Sequence, residues 1–291
     1  MVDFAGGEEE VLDRIRALVS ILPANNEDDL SYGECLDDLN RICPDLSNYA
    51  GDTAIALTRI SDGEFFLETR KEYGPSMVTA FIRLNGRTIG CVANRTKSYD
   101  ESGLKSGEYA PLLTAEGCWK AAEFVNFCDG FGIPLLTLVN VKGFEATTSS
   151  EKNIAKAAAK LTYAFANATV PKVTVVVGQA LGSAYLTMNS KSIGADVVYA
   201  WPEAAIGMME PEEAAKIMYE EEIKKAEDGK ALIKEKGESY RLLQASALSA
   251  AKRGYVDDII EAGETRARVI AAFEMLFTKR EDRPAKKHGT I

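Results

Sequence analysis

The stretch that could do chemistry is residues 175–188, Val-Val-Val-Gly-Gln-Ala-Leu-Gly-Ser-Ala-Tyr-Leu-Thr-Met. It runs from an apolar strand pattern through small residues into a helical pattern. Small residues let a ligand approach the backbone closely. A helix start presents N–H groups with no partner inside the helix and a partial positive charge. Gly182, Ser183 and Ala184 therefore form a candidate oxyanion hole, with the Ser183 and Ala184 amides as donors. The bland account stands beside it: three small residues merely permit tight helix–sheet packing. Two further segments are expected near the same place. Val139–Phe144 ends a strand in Lys142-Gly143-Phe144, where open α/β sheets bind ligands. Residues 193–207 supply another strand and a turn.

Other side chains are weighed against this stretch. The one histidine, His288, sits four residues from the C-terminus, so a Ser-His-Asp triad at Ser183 would need a tail to reach it. A Ser-Lys dyad is the remaining nucleophile reading. The five cysteines include no Cys-x-x-Cys pair, and with one histidine they offer no metal-spaced set, so the chemistry is expected to be metal-free. Cys118 and Cys128 lie in an apolar stretch and read as buried thiols. Lys142 at a strand end is either a carboxylate or phosphate contact or a solvated lysine. Glu210, Glu212 and Glu213 are either acid–base candidates or helix-start electrostatics. Residues 220–225 read as a solvated helix face.

These residues need a scaffold. Among 291 residues, 46% are hydrophobic and 27% charged, enough to bury a large core and too apolar for disorder. The balance of 34 Lys+Arg against 44 Asp+Glu argues against binding nucleic acid by bulk electrostatics. No apolar run reaches membrane-spanning length, and the first ten residues do not read as a secretory leader. A cytoplasmic location is the expectation. Residues 8–22 read as a helix, with Leu12, Ile15, Val19 and Leu22 on one face. The polar run at residues 25–29 reads as a loop, and 53–60 as a short helix. Residues 1–60 form an expected N-terminal helical arm, and 61–291 the main domain. Strand patterns occur at 77–82, 88–93, 135–141, 173–177 and 196–201. Helical patterns fill 114–131 and 151–168, and almost everything from Pro211. That alternation predicts βα units and a largely parallel α/β sheet. The last residues, from 283, read as a tail.

Particular words carry a resemblance. Glu123–Asp129 (Glu-Phe-Val-Asn-Phe-Cys-Asp) with Ile133–Val139, Ala168–Val175, Gly194–Pro202 and Arg253–Ile260 resemble the carboxyltransferase component of biotin-dependent acyl-CoA carboxylases. So does the ending at 278–289. The resemblance runs from about residue 20 to the end and is to the C-terminal half of that family's usual chain. It implies a crotonase-like (ClpP/crotonase) ββα spiral with C-terminal helices. It also implies carboxyl transfer between carboxybiotin on a separate carrier protein and a CoA thioester. Partners implied are a biotin carboxyl carrier protein, a subunit supplying the N-terminal carboxyltransferase half, and further copies of the chain. Carried over by motif, Gly182, Ser183 and Ala184 hold the biotin ureido oxygen through backbone amides, with Gly143, Phe144 and Tyr185 beside them. Leu186, Met208 and Met209 fall in the acyl pocket. Four features depart from the family: the loop that usually holds a glycine pair and an Arg-His-Gly-Ala word is shorter and is residues 147–158 here, the Asp that often follows Ala-Tyr is Leu186, and two short words differ. Its Val-Pro-Gly-Phe is Val141-Lys142-Gly143-Phe144 here, and its Met-Gly-x-x-Gly-Ala turn is Met209-Glu210-Pro211-Glu212-Glu213-Ala214. Two other readings stay open: a crotonase-type hydratase or isomerase without biotin, and a non-catalytic assembly partner.

Overall fold

The computed structural model describes residues 2–25, 33–100 and 102–281. Most of the loop expected at 25–29 and the tail from 283, with His288, lie outside them. Helices α1 (Glu8–Ile21) and α2 (Thr53–Ile60) come first. Strands β1 (Phe66–Thr69), β2 (Met77–Leu84) and β3 (Arg87–Asn94) follow, then the short β4 (Lys97–Tyr99), β5 (Lys105–Glu108) and β6 (Leu112–Leu113). The centre of the chain is α3 (Ala115–Gly130), β7 (Leu135–Val141), β8 (Gly143–Phe144), α4 (Ile154–Asn167), β9 (Lys172–Leu181) and α5 (Gly182–Thr187). Then come β10 (Val197–Ala200), β11 (Ala205–Gly207), α6 (Pro211–Met218), α7 (Glu220–Lys225), α8 (Gly229–Gln244), α9 (Ala247–Lys252), β12 (Asp258–Ile259) and α10 (Thr265–Met275).

The main sheet has the order β1-β2-β3-β7-β9-β10-β12, and β11 pairs with the far end of β9. From β3 onward every pairing is parallel, whereas β1–β2 and β2–β3 are antiparallel. The sheet is thus mixed. The antiparallel start follows from the tight Asn85-Gly86 turn, where both residues have positive φ, as a two-residue hairpin demands. Parallel strands need crossovers; those through α3, α4 and α5 lie on one face, and α2 and α10, which precede and follow the strands, cover the other.

The period of two along each strand sorts the core into two layers. Leu135, Val139 and Val141 of β7 join Val176 and Ala180 of β9 in one layer, under α3, α4 and α5. Leu136 and Leu138 join Val173, Val175 and Val177 in the other, with Leu57 and Ile60 of α2 and Val269 and Phe273 of α10. This two-sided burial explains why the strand sequences read as nearly unbroken apolar runs. Thr114 caps α3, its hydroxyl accepting the Gly117 N–H at 3.0 Å. On α1 the apolar stripe faces outward: Leu12, Ile15 and Val19 are exposed, and Ile21 is the residue that enters the core. Cys118 and Cys128 are both fully buried, and burial pushes the Cys118 thiol up to about 12.

Candidate active site

Strand β9 delivers the chain to α5 through Gly182, whose φ is +60°. A Cβ there would lie 3.0 Å from the Met208 carbonyl oxygen, so two backbones meet at this point and only glycine fits without strain. Ser183 and Ala184 follow in the first turn of α5, where N–H groups lack a partner four residues back. Ser183 is exposed and Ala184 buried. The Ser183 carbonyl accepts from Thr187 Oγ1 at 3.0 Å, which fixes the turn from below.

The other expected site residues arrive from three directions. Lys142 N–H donates to the Pro111 carbonyl at 2.8 Å, and β8 then pairs in parallel with β6. This sets Gly143 and Phe144, both half-buried, against α5. Leu186 of α5 is 43% exposed, Met208 79% and Met209 37%, leaving apolar surface open beside the turn. Tyr185 points into the core instead. Its hydroxyl has no hydrogen-bond partner among the described residues, and burial pushes it up to about 12.

The far end of β9 is held by a residue that the sequence did not advertise. The β7–β9 register shifts between Val139 and Val141, so Val139 faces Val176 while Val141 faces Ala180. Asn140 sits in that irregularity. Its Oδ1 accepts the Gln179 N–H at 3.1 Å, and its Nδ2 donates to the Ala50 carbonyl at 3.2 Å. Gly178 makes room, since a Cβ there would lie 2.6 Å from Asn140 Oδ1. The available signals were a polar residue in the run Leu-Leu-Thr-Leu-Val-Asn-Val and a glycine inside a strand.

Two of the segments that depart from the resembled family meet in space. Lys142 Nζ lies 3.3 Å from Glu210 Oε1, with side chains 40% and 38% exposed. Lys142 precedes β8, which packs on α5, and Glu210 follows Met208, whose carbonyl faces Gly182. The pair thus joins the segment that enters β8 to the segment that passes Gly182. At such exposure an ion pair contributes about 0–1 kcal/mol.

A separate cavity of about 190 Å³ lies between α1, the β1–β2 pair and α3, and holds none of these residues. Lys120 lines it, buried, with Nζ donating to the Met77 carbonyl at 2.8 Å. Burial lowers Lys120 to about 8. Among the described residues no group of three or more His, Cys, Asp or Glu could hold a metal ion. No helix among them is long and apolar enough to cross a membrane.

Comparison with known proteins decides the family. The carboxyl transferase domain description matches residues 3–291. This chain belongs to the carboxyl transferase domain family. It is 40% identical over 292 residues to the methylmalonyl-CoA decarboxylase subunit alpha of Propionigenium modestum, covering 98% of this chain and 54% of that protein. It is 42% identical over 288 residues to a putative propionyl-CoA carboxylase beta chain of Bacillus subtilis (strain 168), covering 98% of this chain and 55% of that one. The crystal structure of transcarboxylase 12S with methylmalonyl-coenzyme A and methylmalonic acid bound superposes with a TM-score of 0.85 at 40% identity. That match covers 95% of this chain and 52% of the other. The beta subunit of Pseudomonas aeruginosa geranyl-CoA carboxylase shares the fold, with a TM-score of 0.65 at 23% identity over 97% of this chain and 52% of the other. The fold is the crotonase-like α/β fold expected. The chain spans about half the length of the curated relatives it matches.

Proposed function

We propose that this chain is the biotin-side half of an acyl-CoA carboxyltransferase, acting in the cytoplasm with a biotin carrier protein and a subunit supplying the CoA-side half. The observation that carries the reading is the turn at Gly182. A left-handed glycine places the Ser183 and Ala184 amides at the end of a parallel strand, in a chain of the carboxyl transferase domain family. The residues fit a biotin ring: a small-residue cradle, two N–H donors, and apolar surface from Phe144 and Leu186 alongside. Carboxylated biotin would supply the carboxyl group here and, at its ring nitrogen, a base for the thioester's α-carbon. The Ser183 and Ala184 amides hold the negative charge that gathers on the ureido oxygen. Preorganised donors of this kind need no titrating side chain, which suits a site whose chain has one histidine, in the tail. Leu186, Met208 and Met209 form the wall facing the acyl group. The names of the relatives make methylmalonyl-CoA and propionyl-CoA the first thioesters to assay. Calorimetric titration of the purified chain with biotin methyl ester tests the reading. Saturable binding, weakened at least tenfold by Gly182→Val, is expected. No binding at millimolar ester would overturn it.

A further inference from the structure

We propose that Lys142 is a carboxylate-binding residue at the mouth of this site, and that Glu210 is its resting counter-ion, displaced when a ligand carboxylate enters. The inference rests on the biotin-side reading above. Its ground is the ion pair at 3.3 Å between Lys142, which leads into β8, and Glu210, two residues past the Met208 carbonyl that meets Gly182. The backbone of Lys142 is fixed by its bond to Pro111, so the ammonium works from a set base. Glu210 is likewise placed by the start of α6, where its side chain makes no cap bond to the helix. Both heads are about two-fifths exposed, so the pair opens at small cost and a second carboxylate can reach Nζ without burying a charge. A buried pair would be a fixed strut; this one is exchangeable. The chemistry supplied is recognition: a cation beside the amide turn favours the carboxylated form of a ligand over the form without it.

Either of two ligands brings a carboxylate here, the carboxylated ureido ring or a carboxylated acyl thioester, and the test separates them. Dissociation constants are measured on the purified chain for biotin methyl ester with and without its N-carboxyl group, and on the chain combined with a subunit supplying the CoA-side half for methylmalonyl-CoA against propionyl-CoA. Lys142→Met should weaken the carboxylated member of one pair about tenfold and leave the other member unchanged. The pair that responds names the source. Glu210→Gln, which removes the competing carboxylate, should tighten the same ligand a few-fold. The charge-swapped double variant Lys142→Glu/Glu210→Lys keeps an ion pair but reverses its order. It should regain the thermal midpoint of the wild type and not its preference. Wild-type preference in the swapped variant, or no response of either pair to Lys142→Met while biotin methyl ester still binds, would overturn the proposal alone. Loss of biotin methyl ester binding by the wild type overturns the underlying reading.

Discussion

Ser183 separates two kinds of chemistry within one residue. Its hydroxyl has no hydrogen-bond partner among the described residues, while its N–H stands in the first turn of α5. Ser183→Ala should therefore keep most carboxyl transfer. Ser183→Pro removes the N–H at a position where a helix tolerates proline. It should lower turnover about 10²–10³-fold. Circular dichroism checks that both variants fold. A dead, folded alanine variant would assign the chemistry to the hydroxyl. At this scale the sequence was legible where the candidate site is built from backbone. Gly182, Ser183 and Ala184 stand out because an apolar strand runs into small residues. The Lys142–Glu210 contact was not legible, because each partner taken singly resembles an ordinary solvated charge. Only the fold brings the end of β7 to the start of α6.

At the scale of elements, the strands and the two long central helices followed from apolar runs and periodicity. What did not follow was charge inside the fold. Lys120 lies on α3 in the word Trp-Lys-Ala-Ala-Glu-Phe, which reads as a helix with its lysine in water. The structure buries it against Met77 and the aromatic wall of Phe81 and Phe124, whose ring centroids are 5.0 Å apart. Burial lowers its value from 10.5 to about 8, so between those values the unfolded chain binds more protons than the folded one. Stability from this group therefore rises with pH across that window. It is lowest below pH 8, where both states carry the charge. Wild type should gain stability relative to Lys120→Met between pH 8 and pH 10.5, by up to about 3 kcal/mol. Urea midpoints at the two pH values measure it. Equal pH dependence in the two proteins would mean that Lys120 is not desolvated. The β7–β9 irregularity was hidden for a related reason. An asparagine in an apolar strand signals something, but not that it grips Gln179 and Ala50 at once.

At the scale of the molecule, exposed apolar side chains fall in several places, two of them on or beside helices. Leu12, Ile15 and Val19 lie along α1. Met208, Ile217, Met218, Leu242, Leu243 and Leu248 lie around α6, α8 and α9, the helices that follow the candidate site. Contiguous apolar surface of this kind marks interfaces. The purified chain should sediment as a homo-oligomer at micromolar concentration. Carboxyl transfer to an acyl-CoA should appear only when a subunit with the CoA-side half is added. A monomer that alone carboxylates propionyl-CoA would refute this. Composition and alternation were enough to place the chain in the α/β class, because two-sided burial writes itself into strand sequences. They were silent on which outer faces stay uncovered: the α1 stripe looks, by spacing alone, like a core-facing one.

Gly182 carries a consequence about handedness. Its φ of +60° belongs to the half of conformational space that mirror-image amino acids prefer. A side chain of natural chirality there meets the Met208 carbonyl, whereas the Cβ of a D-residue leaves the backbone on the other side. The position thus asks for a chirality that the ribosome does not supply, and glycine is the nearest available answer. Semisynthesis can supply it. D-Alanine at 182 should restrict the unfolded chain and raise the thermal midpoint above that of the glycine protein. L-Alanine at the same position should lower it. If the two enantiomers destabilised the chain equally, crowding rather than backbone handedness would be the reason that this turn is built on glycine.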